Sequence, residues 1–183
     1  MEQESMLQPE MNAGEGHSIA YSQTTTSRVM GLLDANLRGN IHGGVIMRMV
    51  DEAAAIVAIK HSRRQVVTAR VDRFDFIAPA YVGNVVSVHC ALNLVGRTSM
   101  EVGVEVVAED LMTGEKRRIA SSQVIFVALD KQGRPTQVPS LVPANAEEAA
   151  RIEKARLHRM RMKKIDEELA RVQQEIGEEM QPQ

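Results

Sequence analysis

The chain of 183 residues contains no tryptophan, two tyrosines and three phenylalanines. So little aromatic surface leaves no platform on which nucleobases would stack. Lys+Arg number 22 against 24 for Asp+Glu, and a net charge of −2 provides no basic field for a phosphate backbone, so no nucleic-acid partner is expected. Cysteine is reduced to Cys90, which excludes an intramolecular disulfide framework and suits a reducing, cytoplasmic compartment. No apolar run approaches the roughly 18 residues that cross a bilayer, and the polar, acidic start MEQESMLQPEMNAGEGHS lacks the apolar segment of a signal peptide. No membrane association is expected. Five scattered histidines and one cysteine give no metal-ligand spacing, and neither a P-loop nor a dinucleotide fingerprint is present, so no metal is expected.

What is present suits one domain with an appendage, at 44% hydrophobic residues. Residues 1–17 read as a disordered lead in which His17 has no role. Residues 18–130 read as the folded domain, and 131–143, punctuated by prolines, as a connector on the surface. Residues 144–183 read as a charged amphipathic helix.

The domain is organised around Asn40 to His61. Val45, Met49, Val50, Ala53 and Val57 recur at helical spacing, and Met47, Ala54, Ala55 and Ala58 make most of the remaining circumference apolar or small, which predicts a buried helix. Into it the sequence places one carboxylate, Asp51, with Arg48 and Glu52 as polar neighbours. Two readings stay open. Either Arg48 pairs with both acids in an exposed polar strip, or Asp51 faces a pocket and acts as a general base against an apolar wall. Gly43 and Gly44 at the helix start leave backbone N–H groups unhindered for an anionic oxygen, although a turn alone would also account for them. Asn36 and Asn40 fit turn or cap positions, or amides that orient a carbonyl or a water.

Around this helix the sequence predicts strands. Ile19 to Met30 is rich in β-branched and hydroxyl residues and forms the first. His61, Ser62, Arg63 and Arg64 end the helix with cations at its negative pole. In Gln65 to Ile77, Val67, Ala69 and Val71 share one face before the apolar parity flips to Phe74 and Phe76, which implies a bulge. Val85 to Val95 points Val86, Val88, Cys90, Leu92 and Leu94 inward, with Cys90 an inert core thiol and His89 a surface histidine. Met100 to Ala108 sets Met100, Val102, Val104, Val106 and Ala108 inward against Glu101, Gly103 and Glu105, and Lys116 to Leu129 is the last strand. One strand, a long helix and four strands in meander predict an α+β fold, a single antiparallel sheet wrapped round a central helix. In the tail, Asn145 and Glu148 form a capping box for a helix from Ala146 to about Glu179. Met162, Ile165, Leu169, Val172 and Ile176 form an a/d seam along it, with basic residues in the first half and acidic ones in the second, a pattern expected to set oligomeric state.

The run Asp34-Ala35-Asn36, then Gly39-Asn40-Ile41-His42-Gly43-Gly44, then Met47 and Met49 to Ala53, resembles the active-site segment of hotdog-fold acyl-coenzyme A thioesterases, in the cytosolic acyl-CoA hydrolase branch. The resemblance continues through Val67 to Asp72, Asp75 to Pro79, Val82-Gly83, Arg97-Thr98-Ser99 and Leu111 to Gly114, and covers roughly Ile19 to Leu129. It implies hydrolysis of fatty acyl-CoA to fatty acid and CoA. It also implies a homodimer with continuous sheets in which Asp51 of one subunit works with Asn36 of the other; assembly into a hexamer as a trimer of dimers is expected, with the dimer alone and a tetramer left open by the sequence. On this reading Asp51 activates water or attacks directly, Gly43 and Gly44 N–H groups hold the oxyanion, and Asn36 positions water or carbonyl. His42 lines the pocket or shapes the turn. Arg97, Thr98 and Ser99 are the candidates for coenzyme A, with Arg70 a further one for which an acid competes. No separate cofactor is implied, since coenzyme A belongs to the substrate. Two rivals remain: a hotdog hydratase or dehydratase using His42 and Asp51, and a non-catalytic module that binds and senses acyl-CoA. The tail after Pro143 lies outside the resemblance.

Overall fold

The computed structural model describes residues 16–179, with side chains described through residue 173, and the described residues divide into two compact units between Val142 and Pro143. The lead expected to be disordered falls outside the described residues up to position 15.

The first predicted strand is shorter than expected. Ile19–Ser22 forms one helical turn, α1, and β1 runs only from Thr24 to Val29. Ile19 and Ser22 are both buried, and positions three apart reach one side of a helical turn but opposite faces of a strand. After a short 3-10 turn at Leu32–Asp34 come α2 (Gly43–Ser62), β2 (Gln65–Phe76), β3 (Val85–Val95), β4 (Ser99–Glu109) and β5 (Lys116–Leu129). The sheet has the order β1-β3-β4-β5-β2, antiparallel throughout, so β1 and β2 are its two edges and α2, which links them, crosses its inner face.

Ile46, Met49, Val50, Ala53, Ala54, Val57 and Ala58 of α2 are buried against Val86, Val88, Cys90 and Leu92 of β3 and their neighbours on β4 and β5. The three alanines let helix and sheet approach closely. Cys90 is part of this core, and its burial pushes the thiol up to about 12, consistent with an inert group. α2 is not buried all round, because the sheet covers only one side of it. Met47, Arg48, Asp51, Glu52, Ile56 and Ile59 are exposed in the single chain. On β4, Glu101 is also unlike its expected outward position: it is 2% exposed, and Asn93 Nδ2 donates to its Oε1 at 3.3 Å.

β2 carries two register shifts against β5, at Ala69 and at Asp72. Directly paired residues of an antiparallel ladder share a face. Opposite the buried Ala128, Phe126, Val124, Ser122 and Ala120 stand Val66, Thr68, Val71, Phe74 and Phe76, which therefore form the helix-facing side of β2. The sequence signal of a bulge was sound, but Val67 and Ala69 belong to the other face from Val71.

At the far end of α2, His61 is fully buried rather than an exposed terminal cation. Its Nε2–H donates to the Pro139 carbonyl at 2.9 Å. Arg63 takes the left-handed conformation (φ 52) that ends the helix, and its guanidinium donates to Tyr21 Oη at 3.0 Å. His17, far from idle, donates its backbone N–H to Ser140 O at 2.9 Å, stacks on Tyr21 with ring centroids 4.0 Å apart and meets the His61 ring at 5.5 Å. The proline-punctuated segment is mostly exposed, as a surface connector would be, and is also tied to the domain. Thr136 N–H donates to Ala128 O, Val138 N–H to Arg97 O, and the Val138 side chain is 5% exposed.

Burial, only partly offset by the Pro139 hydrogen bond, holds His61 below the usual histidine range. The unfolded chain, titrating near 6.5, then binds more protons than the fold. The contribution of His61 is expected to be complete above about pH 6.5 and to be lost as pH falls through that value toward the lower folded pKa. Urea unfolding midpoints at pH 7.5 and 5.5 should show the loss, and His61→Gln, which keeps a donor for Pro139, should reduce it.

In the second unit, α3 spans Ala146–Glu179. Asn145 Oδ1 accepts Glu148 N–H at 2.9 Å, and Glu148 Oε2 reaches back to Ala144 N–H at 2.8 Å. Ile165, Leu169 and Val172 of the predicted seam are about half exposed in the single chain; the side chain of Ile176 lies outside the described residues.

Candidate active site

Asp51 points off the uncovered side of α2 toward β2, where Thr68 Oγ1 donates to its Oδ1 at 2.7 Å. The register explains the meeting, since Thr68 is on the helix-facing side opposite Phe126. Arg48 pairs with Glu52, its Nε donating to Oε1 at 2.8 Å, so the polar strip forms without Asp51. Asp51 itself is exposed, and the apolar wall expected around it is not supplied by this chain alone. Thr68 lay within the resemblance but was not singled out in the sequence. The bulge at Ala69, one residue later, was the available signal that this part of β2 faces the helix.

Gly43, Met47 and Asp51 are spaced four apart and share one side of α2. The ring of Phe76 lies over Gly43, so close that a methyl group there would stand 3.1 Å from Phe76 Cζ. Between these ends run Met47, 47% exposed, on the helix and Val71, 46% exposed, on the strand. The result is an exposed apolar strip along α2 and β2, with backbone N–H groups and Phe76 at one end and Asp51 with Thr68 at the other.

The two glycines are not equivalent. Gly44 N–H donates to His42 Nδ1 at 3.1 Å, whereas among the described residues Gly43 N–H makes no hydrogen bond. Preceding them, Asn36 N–H donates to Asn40 O at 2.7 Å and Gly39, at φ +81, closes the turn that side-chain-bearing residues would resist. Asn36 Oδ1 accepts Arg38 N–H at 2.8 Å. Its acceptor is used locally, and what remains for a ligand is the Nδ2 donor, suited to a carbonyl oxygen. Asn40 is held by a bridge to Tyr81.

Arg97 and Thr98 lie in the turn between β3 and β4 and Ser99 opens β4; Thr98 O accepts Ala128 N–H at 3.0 Å. Ser99 pairs with Val127 and Val127 with Val67, which puts this turn at the Asp51 end of the sheet, two strands or about 10 Å from Thr68. Arg97 is exposed. Arg70, in contrast, is ion-paired with Asp72 on its own strand.

A helix held in the curve of one antiparallel sheet is the hotdog fold, here with a carboxylate on the open flank of the helix. The model of the thioesterase superfamily matches residues 38–115. An uncharacterized acyl-CoA thioester hydrolase of Bacillus subtilis is 44% identical over 123 residues, covering 67% of this chain and 71% of that protein. The mouse cytosolic acyl coenzyme A thioester hydrolase is 33% identical over 160 residues, covering 86% of this chain but only 42% of its own length. Among solved structures, an apo-hexameric acyl-CoA thioesterase superimposes with a TM-score of 0.79 at 36% identity, covering 83% of this chain and 97% of its own. An acyl-CoA hydrolase from Staphylococcus aureus, solved with butyryl-coenzyme A and coenzyme A, gives 0.68 at 33% identity, covering 84% and 98%. That enzyme is also known as alanine variants of an aspartate, a threonine and an asparagine. The chain belongs to the acyl-CoA thioester hydrolases of the thioesterase superfamily. Matches covering this much of the chain cannot end at Pro143, so part of the tail has a counterpart in relatives as well.

Proposed function

We propose that the chain hydrolyses fatty acyl-CoA to the fatty acid and coenzyme A, with Asp51 activating the attacking water. The observation that carries this is the exposed Asp51 carboxylate, oriented by Thr68, on a helix that starts with an uncommitted N–H. Asn36, Asp51 and Thr68 also follow one another at the same intervals as the asparagine, aspartate and threonine replaced in the S. aureus enzyme. A thioester carbonyl is electrophilic and its thiolate leaves readily, so positioning a water and stabilising an oxyanion is most of the work.

Gly43 and Asp51 lie eight residues apart on one helix, about 12 Å along its axis. Donor and water must both stand about 3 Å from one carbonyl group, so the pair within one chain is too widely spaced. A second subunit resolves this: Gly43 and Asn36 of one serve with Asp51 of the other. The free edge of β2, twelve residues long, offers the seam for a continuous sheet in a homodimer. Leu32, Leu33 and Leu37, at 82%, 102% and 108% exposure around Asn36, require cover of this kind. A hexamer, here of three such dimers, agrees with the hexameric state of one relative; a cytoplasmic site of action completes the proposal, with the exposed seam of α3 taken as a contact within that assembly.

The test is thiol release from butyryl-CoA and palmitoyl-CoA by the purified full chain. Binding without release would leave the sensing module; hydration of an enoyl-CoA without hydrolysis would leave the hydratase. For the coenzyme portion, Arg97→Ala is expected to raise KM about tenfold with kcat little changed, as for a lost phosphate contact, and the effect should shrink at high salt.

A further inference from the structure

His42 precedes α2 with extended backbone (φ −62, ψ 130), and its Nδ1 accepts Gly44 N–H at 3.1 Å. A ring nitrogen that accepts carries no proton, so in this contact the ring's hydrogen is on Nε2. The ring lies along Gly44, where a methyl group would stand 3.3 Å from Nδ1. The backbone of the same residue is fixed on both sides: its N–H donates to Asp34 O at 2.8 Å, and its carbonyl accepts Val45 N–H at 2.9 Å. A helix begins with N–H groups that have no acceptor in the helix. Here one of the two glycine donors is consumed by His42 and the other is not.

We propose that His42 is a positioning residue: by capping Gly44 through Nδ1 it fixes the first turn of α2 so that the N–H of Gly43, and not that of Gly44, meets the thioester oxygen. The inference rests on the thioesterase reading above, and it narrows the expectation that both glycines serve the oxyanion. It also assigns His42 a task other than proton transfer, since the nitrogen nearest the helix is occupied as an acceptor.

The chemistry of the cap selects the variants. In His42→Asn, Oδ1 stands as many bonds from the backbone as Nδ1 does, and asparagine is among the strongest capping residues. In His42→Gln the acceptor is one bond too far, and in His42→Ala it is gone. With butyryl-CoA and the full chain, Asn is expected to keep kcat within about threefold of the parent. Gln and Ala are expected to lose about 30-fold in kcat with KM changed less than about threefold, because a misplaced donor costs rate rather than ground-state binding. Hydrogen exchange at the Gly44 amide should quicken about fivefold in Ala and Gln but not in Asn.

Equal melting temperatures would set misfolding aside. An Asn variant as impaired as Ala, or an Ala variant as fast as the parent, would overturn the proposal. Should the parent release no thiol, the thioesterase reading falls and takes His42's service to the oxyanion with it, while Gly44 exchange still decides whether the cap exists.

Discussion

Replacement of Asp51 by asparagine is expected to lower kcat for acyl-CoA hydrolysis by about 10³-fold, within the range that a general base contributes. The substitution changes one atom. Its Oδ1 can still accept from Thr68 Oγ1, which lies 2.7 Å from that oxygen in the parent, so the helix–strand contact is kept and KM should move little. Loss of proton affinity is then the sole change at the site. Thiol release at saturating butyryl-CoA reads the outcome directly, and a variant that retained a tenth of the parent rate would remove Asp51 from the chemistry. Thr68→Ala should lie between the two, because the base survives but loses the hydroxyl that aims it.

The second large effect is a recovery. Homodimers of Asp51→Asn and of Asn36→Ala should both be nearly silent, yet the two chains expressed together should regain activity. If each site draws Asn36 from one subunit and Asp51 from the other, a mixed dimer contains one site with both defects and one with neither. Random pairing puts about half the dimers in the mixed form, so the mixture should reach about a quarter of the parent rate. A site complete within one chain would give no recovery at all. This experiment bears on the 12 Å between Gly43 and Asp51 more directly than any measurement of molecular mass.

The sheet was legible in the sequence because β3 and β4 alternate strictly, and every position expected inward from Val86 to Leu94 and from Met100 to Ala108 is buried. α2 was legible in place but not in exposure. Small and apolar residues all round a helix describe what could be buried, and a single chain covers only one side; Met47, Ile56 and Ile59 remain exposed. Asp51, Asn36 and the glycine pair stood out because carboxylates, amides and Gly-Gly are conspicuous types in such surroundings. Thr68 did not stand out, since a threonine in a strand has an ordinary explanation, and only the partner 17 positions back gives it another. His17 and His61 were misread for a different reason. Their partners, Ser140 and Pro139, lie on a segment over 75 residues beyond His61 in sequence, and no local pattern announces a contact of that range.

The paired bulges of β2 have a consequence for how this strand tolerates insertion and deletion. Each adds a residue to the chain without adding a row to the sheet, so the strand is two residues longer in sequence than in space. Removal of Ala69 or Asp72 would restore plain alternation and leave Thr68 and Phe76 facing the helix. Removal of any regularly paired residue between those two would turn every side chain on one side of the cut to the opposite face. Homologous chains that differ in length within this strand can therefore keep Thr68 beside Asp51 and Phe76 over Gly43, provided the difference falls at the bulges.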